Sequence, residues 1–247
     1  MLDELAGGIL ALAPGHPVRV GVDGHSAAGK TTFADELAAV LRARTGRSVL
    51  RVMLDRFKRH VDLRTGYPAG SPESYYHEMF DVDAIRDVLL APLGPGGDRR
   101  YRTEVMDFRG RTPVDSGVRV APDDAILVAD GAFLQKPALA PYWDLRVYLH
   151  IEVDEVLRRG TARDQAWMES AEAAAQRYRD YYIPGELLYL AEVGPAERAD
   201  VVVDNSDFTA PRLVRAGSGG GRRAGRAAER GTPGPTNRPR GGSGSAG

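Results

Sequence analysis

The chain of 247 residues contains no cysteine. A disulfide framework and a thiolate metal site are therefore excluded, and the composition suits a reducing compartment. No apolar run approaches the roughly 18–20 residues that a helix needs to span a bilayer. Asp3 and Glu4 stand where a signal peptide would carry positive charge. The expectation is a soluble cytoplasmic protein without a membrane partner. Lysine is scarce as well: Lys30, Lys58 and Lys136 are the only three among 33 basic residues, the rest being arginine. His16, His60, His77 and His150 have no metal-ligand spacing, so no zinc site is expected.

What is present suffices for a packed domain. The hydrophobic fraction is 43% and the charged fraction 27%, both ordinary for a globular protein. Charge is unevenly spread. From Ala216 onward six arginines face one glutamate, while the whole chain has a formal charge of −1, so the remainder is acidic. Residues 216–247 are Gly, Arg, Pro and Ser with almost nothing to bury, and are expected to be a disordered tail. Residues 1–215 are read as one domain, with its folded part running from about Pro17 to Leu213.

Within that domain, Val18-Arg19-Val20-Gly21-Val22 is a β-branched run ending at Asp23 and reads as a buried strand. Phe33, Leu37, Val40 and Leu41 recur at helical spacing between Thr31 and Arg44, with Gly46 in the position of a C-cap glycine. Val49 to Leu54 reads as a second strand ending at Asp55. Strand, glycine loop, helix and strand make a βαβ unit, which implies a parallel sheet. Downstream, Asp81 to Leu90 reads as helix, and Arg99 to Pro113 as a short strand pair outside the main sheet. Ala125 to Ala129 and Leu145 to Ile151 read as strands, Asp154 to Glu192 as an interrupted helical stretch, and Ala199 to Val203 as a last strand.

The chemistry begins at Gly24-His25-Ser26-Ala27-Ala28-Gly29-Lys30-Thr31, followed by Thr32. A phosphate chain needs several donors in a concave arc, and backbone N–H groups supply them where no side chain blocks approach. Gly24 and Gly29 permit that approach, and the helix opening at Gly29-Lys30 adds its unpaired N–H groups and dipole. Lys30 can reach the β- and γ-phosphates, and the Thr31 hydroxyl can ligate magnesium. The loop follows a strand and opens a helix, as this motif requires. It is read as a P-loop, giving an α/β P-loop NTPase fold and nucleotide binding with Mg2+ by residues 24–32. P-loops also serve GTPases and mechanical ATPases. No Asn-Lys-x-Asp guanine-reading motif occurs, and no separate mechanical domain follows. ATP is the expected nucleotide, with GTP left open.

Ligands in open α/β sheets lie outside the carboxyl ends of the strands. Three aspartates fall there. Asp55 is read as the group that orients and deprotonates an acceptor hydroxyl, with Asp55 and Asp130 joining Thr31 near magnesium. Asp23 is read as structural, bonding backbone groups of the loop. Arg159 and Arg163 stand four apart in a predicted helix, and two guanidiniums on one face can clamp a transferring phosphoryl group. Trp143, Trp167 and the Tyr178–Tyr182 aromatics are read as packing residues. In His25 the backbone is expected to matter more than the ring.

In this order and spacing, the segments resemble the uridine kinase-like branch of the phosphoribulokinase/uridine kinase family, over roughly Val18 to Asn205. The carriers are Gly21 to Thr32, Leu54-Asp55-Arg56-Phe57, Phe80-Asp81, Met106-Asp107-Phe108, Val128-Ala129-Asp130-Gly131, Arg159 to Asp164, and Ala199 to Val203. The resemblance implies a parallel sheet flanked by helices, with a mobile helical lid. It implies Asp55 as catalytic base, Arg159 and Arg163 on phosphates, and transfer from ATP or GTP to a nucleoside.

Several positions depart from the family. Met106 stands where a base-reading tyrosine is usual, and Arg111 falls near the position of a base-reading histidine. Glu73-Ser74-Tyr75-Tyr76-His77 replaces an Asn-Phe-Asp-His-Pro segment, and Asp130 replaces a glutamate. Arg102, Arg109 and Arg111 can read a phosphate or carboxylate on a different acceptor. The expected function is ATP-dependent phosphorylation of a small-molecule hydroxyl, first a uridine- or cytidine-like nucleoside. The alternatives are another acceptor (a phosphorylated sugar, a pantothenate-like acid or a nucleotide) and an ATP-binding regulatory or nucleic-acid-binding module. Nucleic acid is not the expected partner, because only the Arg-rich tail suggests it.

Overall fold

The computed structural model describes residues 1–216. The chain begins with helix α1 (Leu2–Leu10), whose Asp3 and Glu4 lie in the first turn, where the helix dipole favours acidic groups. Leu5, Ala6 and Ile9 are buried. The packed region therefore starts well before Pro17, and the apolar residues at 5, 6 and 9 are the signal for it.

Strand β1 (Val18–Gly24) is buried along its whole length. Helix α2 (Lys30–Arg44) follows the glycine loop and turns Phe33, Ala34, Leu37, Ala38 and Leu41 toward the sheet. Burying each of the larger three is worth about 1.5–3 kcal/mol. It ends at Thr45 in an extended conformation, so Gly46 is not the left-handed cap expected from its position. Strand β2 (Val49–Met53) leads into a 3-10 turn at Leu54–Arg56. Helix α3 (Val82–Ile85) continues as a π-helical turn over Arg86–Leu90, which together match the expected helix.

Strand β3 (Arg100–Tyr101) pairs antiparallel with β4 (Arg119–Val120) outside the main sheet, farther along the chain than the partner expected before Pro113. Strands β5 (Ile126–Asp130) and β6 (Leu145–His150) complete the centre of the sheet. Helix α4 (Val153–Asp164) is followed by α5 (Ala171–Arg177), a π-helical turn at Tyr178–Tyr182 and α6 (Ile183–Val193). After α7 (Pro195–Arg198) come β7 (Val201–Asp204) and β8 (Arg212–Ala216). Strand β8 pairs antiparallel with β7, so β7 is not the last strand as expected. Apart from Ala216, the tail expected to be disordered lies outside the described residues. Among the described residues, no helix is long and apolar enough to cross a membrane.

The six-stranded sheet has the order β2-β5-β1-β6-β7-β8 and is parallel except for β8. Side chains alternate across it with period two. Val18, Val20 and Val22 face one apolar layer with Phe33, Leu37 and Leu41, together with Ile126 and Val128. Leu127 and Ala129 face the other layer, with Leu54, Phe57, Phe133 and Trp143. Gly21 allows Trp143 to lie flat on β1, because a Cβ there would meet the indole at 2.9 Å. Buried Arg19 is neutralised by Asp144, with Nε donating at 3.0 Å and Nη2 at 3.0 Å to its two oxygens. The chain crosses from β1 to edge strand β2 and returns to place β5 between them. That crossing opens a crevice at the carboxyl ends of the strands.

Candidate active site

The glycine loop lies at the carboxyl end of β1. Gly24 has φ 147°, and a Cβ there would stand 2.5 Å from the Leu149 carbonyl oxygen. Gly29, the residue before α2, is left-handed at φ 84° with no side-chain cap, so the first N–H groups of α2 stay available. The loop is held from outside. Asn205 Nδ2 donates to the Ala28 carbonyl at 2.7 Å, and buried Glu186 accepts from the Ser26 N–H at 2.7 Å. The second oxygen of Glu186 lies 2.7 Å from His25 Nδ1, so the buried His25 ring is part of the anchor and not only its backbone. Lys30 Nζ donates to the His25 carbonyl at 2.7 Å.

Asp23 sits behind the loop, fully covered. Its Oδ1 accepts from the Gly24 N–H at 2.8 Å, and its Oδ2 accepts from Tyr189 and Gln135 at 2.5 and 3.3 Å. Burial pushes its carboxyl above the usual range, against the pull of those hydrogen bonds. This is the structural position expected for it.

One corner carries an oxygen-only donor set. The Thr31 hydroxyl donates to Asp130 Oδ2 at 2.7 Å. Asp130 Oδ1, buried, is 2.7 Å from Arg51 Nη1 but accepts no well-directed hydrogen bond. Arg51 is fixed in turn by Asp35 at 2.7 Å. A hydroxyl and an under-satisfied carboxylate, with Asp55 on the same cavity, fit magnesium, which takes one or two carboxylates and fills the rest of its shell with phosphates and water. Among the described residues, no group of three or more acidic or histidine side chains is placed to hold a metal by itself.

Lys30, Thr31, Asp55, Asp130 and Arg163 line one cavity of about 490 Å³. Asp55 projects into it from the turn that ends β2, and is exposed. Lys58, one turn further, also lines the cavity and donates to the Phe108 carbonyl at 2.6 Å. Burial lowers its pKa, with Asp55 opposing the shift. The tyrosine at 75 lies 3.2 Å from Ser26 Oγ, and burial raises its hydroxyl well above the usual range. The cavity mouth carries Phe108, Arg109 and Trp167. Trp167 is 66% exposed, so it is not the packing residue expected, whereas Trp143 is buried as expected.

The two arginines of α4 part company. Arg163 lines the main cavity, donating to Asp164 Oδ1 at 2.7 Å and to the Tyr178 hydroxyl at 3.0 Å. Arg159 turns to the other side of the loop. It donates to the Asn205 and Ser206 carbonyls at 3.0 and 2.5 Å and pairs with Glu155. With Gly29, Thr32, Asn205 and Phe208 it lines a second cavity of about 260 Å³. Of the arginines between 102 and 111, Arg109 reaches the main cavity, while Arg102 is paired with Asp115. Met106 is buried.

Sequence reasoning did not single out Glu186, Asn205 as a loop anchor, Lys58 or Trp167. Lys58 had a usable signal, since two of only three lysines in the chain face this cavity. Glu186 had none, because its partners lie 160 residues away.

No protein-family model matches the chain. It is 26% identical over 197 residues to a uridine kinase of Brevibacillus brevis, covering 78% of this chain and 87% of that one. It is 24% identical over 189 residues to uridine-cytidine kinase B of Dictyostelium discoideum, covering 76% and 74% of the two chains. A possible uridine kinase from Bacillus stearothermophilus superposes with a TM-score of 0.63 at 26% identity, over 81% of this chain and 96% of that one. A putative fructose transport system kinase from Silicibacter sp. shares the fold at a TM-score of 0.66 and 23% identity, over 78% and 95% of the two chains. In its motifs, its sheet and these similarities, the chain is similar to the uridine kinase-like branch of the P-loop kinases.

Proposed function

We propose that the protein transfers the γ-phosphate of ATP, with magnesium, to a hydroxyl of a small molecule, first of all a nucleoside of the uridine or cytidine kind. The observation that carries this reading is the shared cavity. Asp55, which can take a proton from a hydroxyl, faces the same space as Lys30, Thr31 and Asp130, which can hold the phosphates and the metal. Magnesium supplies charge neutralisation at the β- and γ-phosphates. Lys30 and the N–H groups opening α2 would bind the phosphates, and Arg163 would neutralise charge on the group in transit. Arg159, on the second cavity with Thr32 and Phe208, suits the nucleotide side of the loop. The nucleoside class rests on the names of the relatives and on the aromatic rim of the cavity.

One observation favours a second acceptor class. Lys58 and Arg109 both line the cavity with Asp55, which also fits a hydroxyl compound bearing a carboxylate or phosphate.

The test is ADP release with ATP and magnesium across nucleosides, hydroxy acids and sugar phosphates, with Asp55→Asn alongside. Turnover of uridine or cytidine that Asp55→Asn abolishes supports the nucleoside reading. Turnover of an anionic acceptor alone transfers the mechanism to the second class. No turnover with any acceptor sinks the kinase reading.

A further inference from the structure

Two aromatic side chains at the mouth of the main cavity are exposed to a degree that packing does not explain. Phe108 is 45% and Trp167 66% exposed. Each is nonetheless held in place. The Arg56 guanidinium lies 3.7 Å from the centroid of the Phe108 ring, and Arg56 is itself paired with Glu104 at 3.3 Å. Trp167 Nε1 donates to Asp164 Oδ1 at 3.2 Å. Lone exposed aromatics are unremarkable, but two anchored ones on one polar cavity form a platform for something flat.

Asp164 gives Trp167 a second significance. This carboxylate is buried and accepts from Arg163 at 2.7 and 3.2 Å, from the Tyr178 hydroxyl at 2.9 Å and from the Trp167 indole. The guanidinium of Arg163 and the indole of Trp167, which line the same cavity, therefore hang on a single anion. A ligand ring that fixes the indole also fixes the carboxylate that orients Arg163.

We infer that Trp167 is the stacking platform for the planar ring of the acceptor, and that through Asp164 it ties acceptor binding to the position of Arg163. This rests on the nucleoside reading above and names a specificity-determining residue for it. It accounts for Met106 and Arg111, since the ring is then gripped from the rim and not from those positions.

The chain has two tryptophans, and Trp143 is buried against β1, so a fluorescence change on adding acceptor reports Trp167. The full chain is titrated with uridine, cytidine and ribose without ATP, and KM and kcat are then measured for Trp167→Ala and Trp167→Phe. The expected result is saturable quenching by the nucleosides and not by ribose. Trp167→Ala should raise KM for the nucleoside about tenfold, as loss of one base-stacking partner does, with KM for ATP unchanged. Trp167→Phe should recover most of it. Nucleoside turnover with an unchanged KM in Trp167→Ala overturns the inference and leaves the nucleoside reading intact. Neither turnover nor quenching by nucleosides overturns both.

Discussion

The Thr31 hydroxyl donates to Asp130 Oδ2 at 2.7 Å, joining the end of the glycine loop to the end of β5. On the proposed reading, this contact ties the phosphate side of the cavity to the carboxylate that holds magnesium. Asp130→Asn keeps a hydrogen-bonding group but removes the charge. The expected outcome is a rise in the magnesium concentration for half-maximal rate and a fall in kcat of about 100-fold. A magnesium titration of the rate checks it, with circular dichroism to establish that the variant folds. A rate with unchanged magnesium dependence refutes the role.

Glu186→Ala leaves the Ser26 N–H and the His25 ring without their partner. The cost in stability should be about 1–3 kcal/mol, read from urea unfolding, with weaker nucleotide binding because the loop loses its outer anchor. Glu186→Gln can still accept from Ser26 and should recover part of both. Equal nucleotide affinity in the wild type and the alanine variant would remove Glu186 from the loop's support.

Gly160 of α4 passes directly against Tyr178, where a Cβ would stand 2.1 Å from the ring. Gly160→Ala must push α4 away from the π-helical turn that follows α5. A loss of about 1–3 kcal/mol is expected from overpacking. Because Arg163 and Asp164 lie on the same helix, kcat should fall by more than the unfolded fraction explains. Kinetics at a temperature well below the unfolding transition separate the two effects.

Burial lowers the Lys136 pKa from the ordinary 10.5 to about 8. Its ammonium lies 4.1 Å from the Tyr76 ring centroid and 5.2 Å from that of Phe133. Between pH 8 and about 10.5 the unfolded chain holds this proton and the folded chain does not, so stability rises with pH across that window. Below pH 8 both states are protonated and the contribution is flat. Lys136→Met should remove the rise, as measured by urea midpoints at pH 7, 8, 9 and 10. A variant whose midpoints climb as steeply as the wild type's contradicts the assignment.

The sequence was most legible where structure is local. The βαβ unit, the glycine loop and the aspartates ending β1, β2 and β5 follow from residue type and spacing within short windows; the structure sets Asp55 and Asp130 on one cavity with the loop and buries Asp23 behind it. Reading failed where contacts are long-range or where end effects decide. The spacing of Arg159 and Arg163 puts them on one helix face, yet the groups that receive each guanidinium lie elsewhere. Glu155 and the carbonyls after β7 draw off one, while Asp164 and Tyr178 draw off the other. Trp167 was misjudged because a tryptophan's usual burial says nothing about a turn at a cavity rim. Gly46 had the right position for a cap, but Thr45 ends α2 in extended backbone without it.

The scarcity of lysine has a practical consequence. A reagent specific for primary amines meets only the Met1 amino group and three side chains on this protein, and none of the three is fully exposed. Two of them, Lys30 and Lys58, open onto one cavity. Acylation of Lys30 and Lys58 is thus a footprint of that cavity, with Lys136, which lies off it, as the internal reference, and its slowing by added nucleotide or acceptor reports occupancy without any need for turnover.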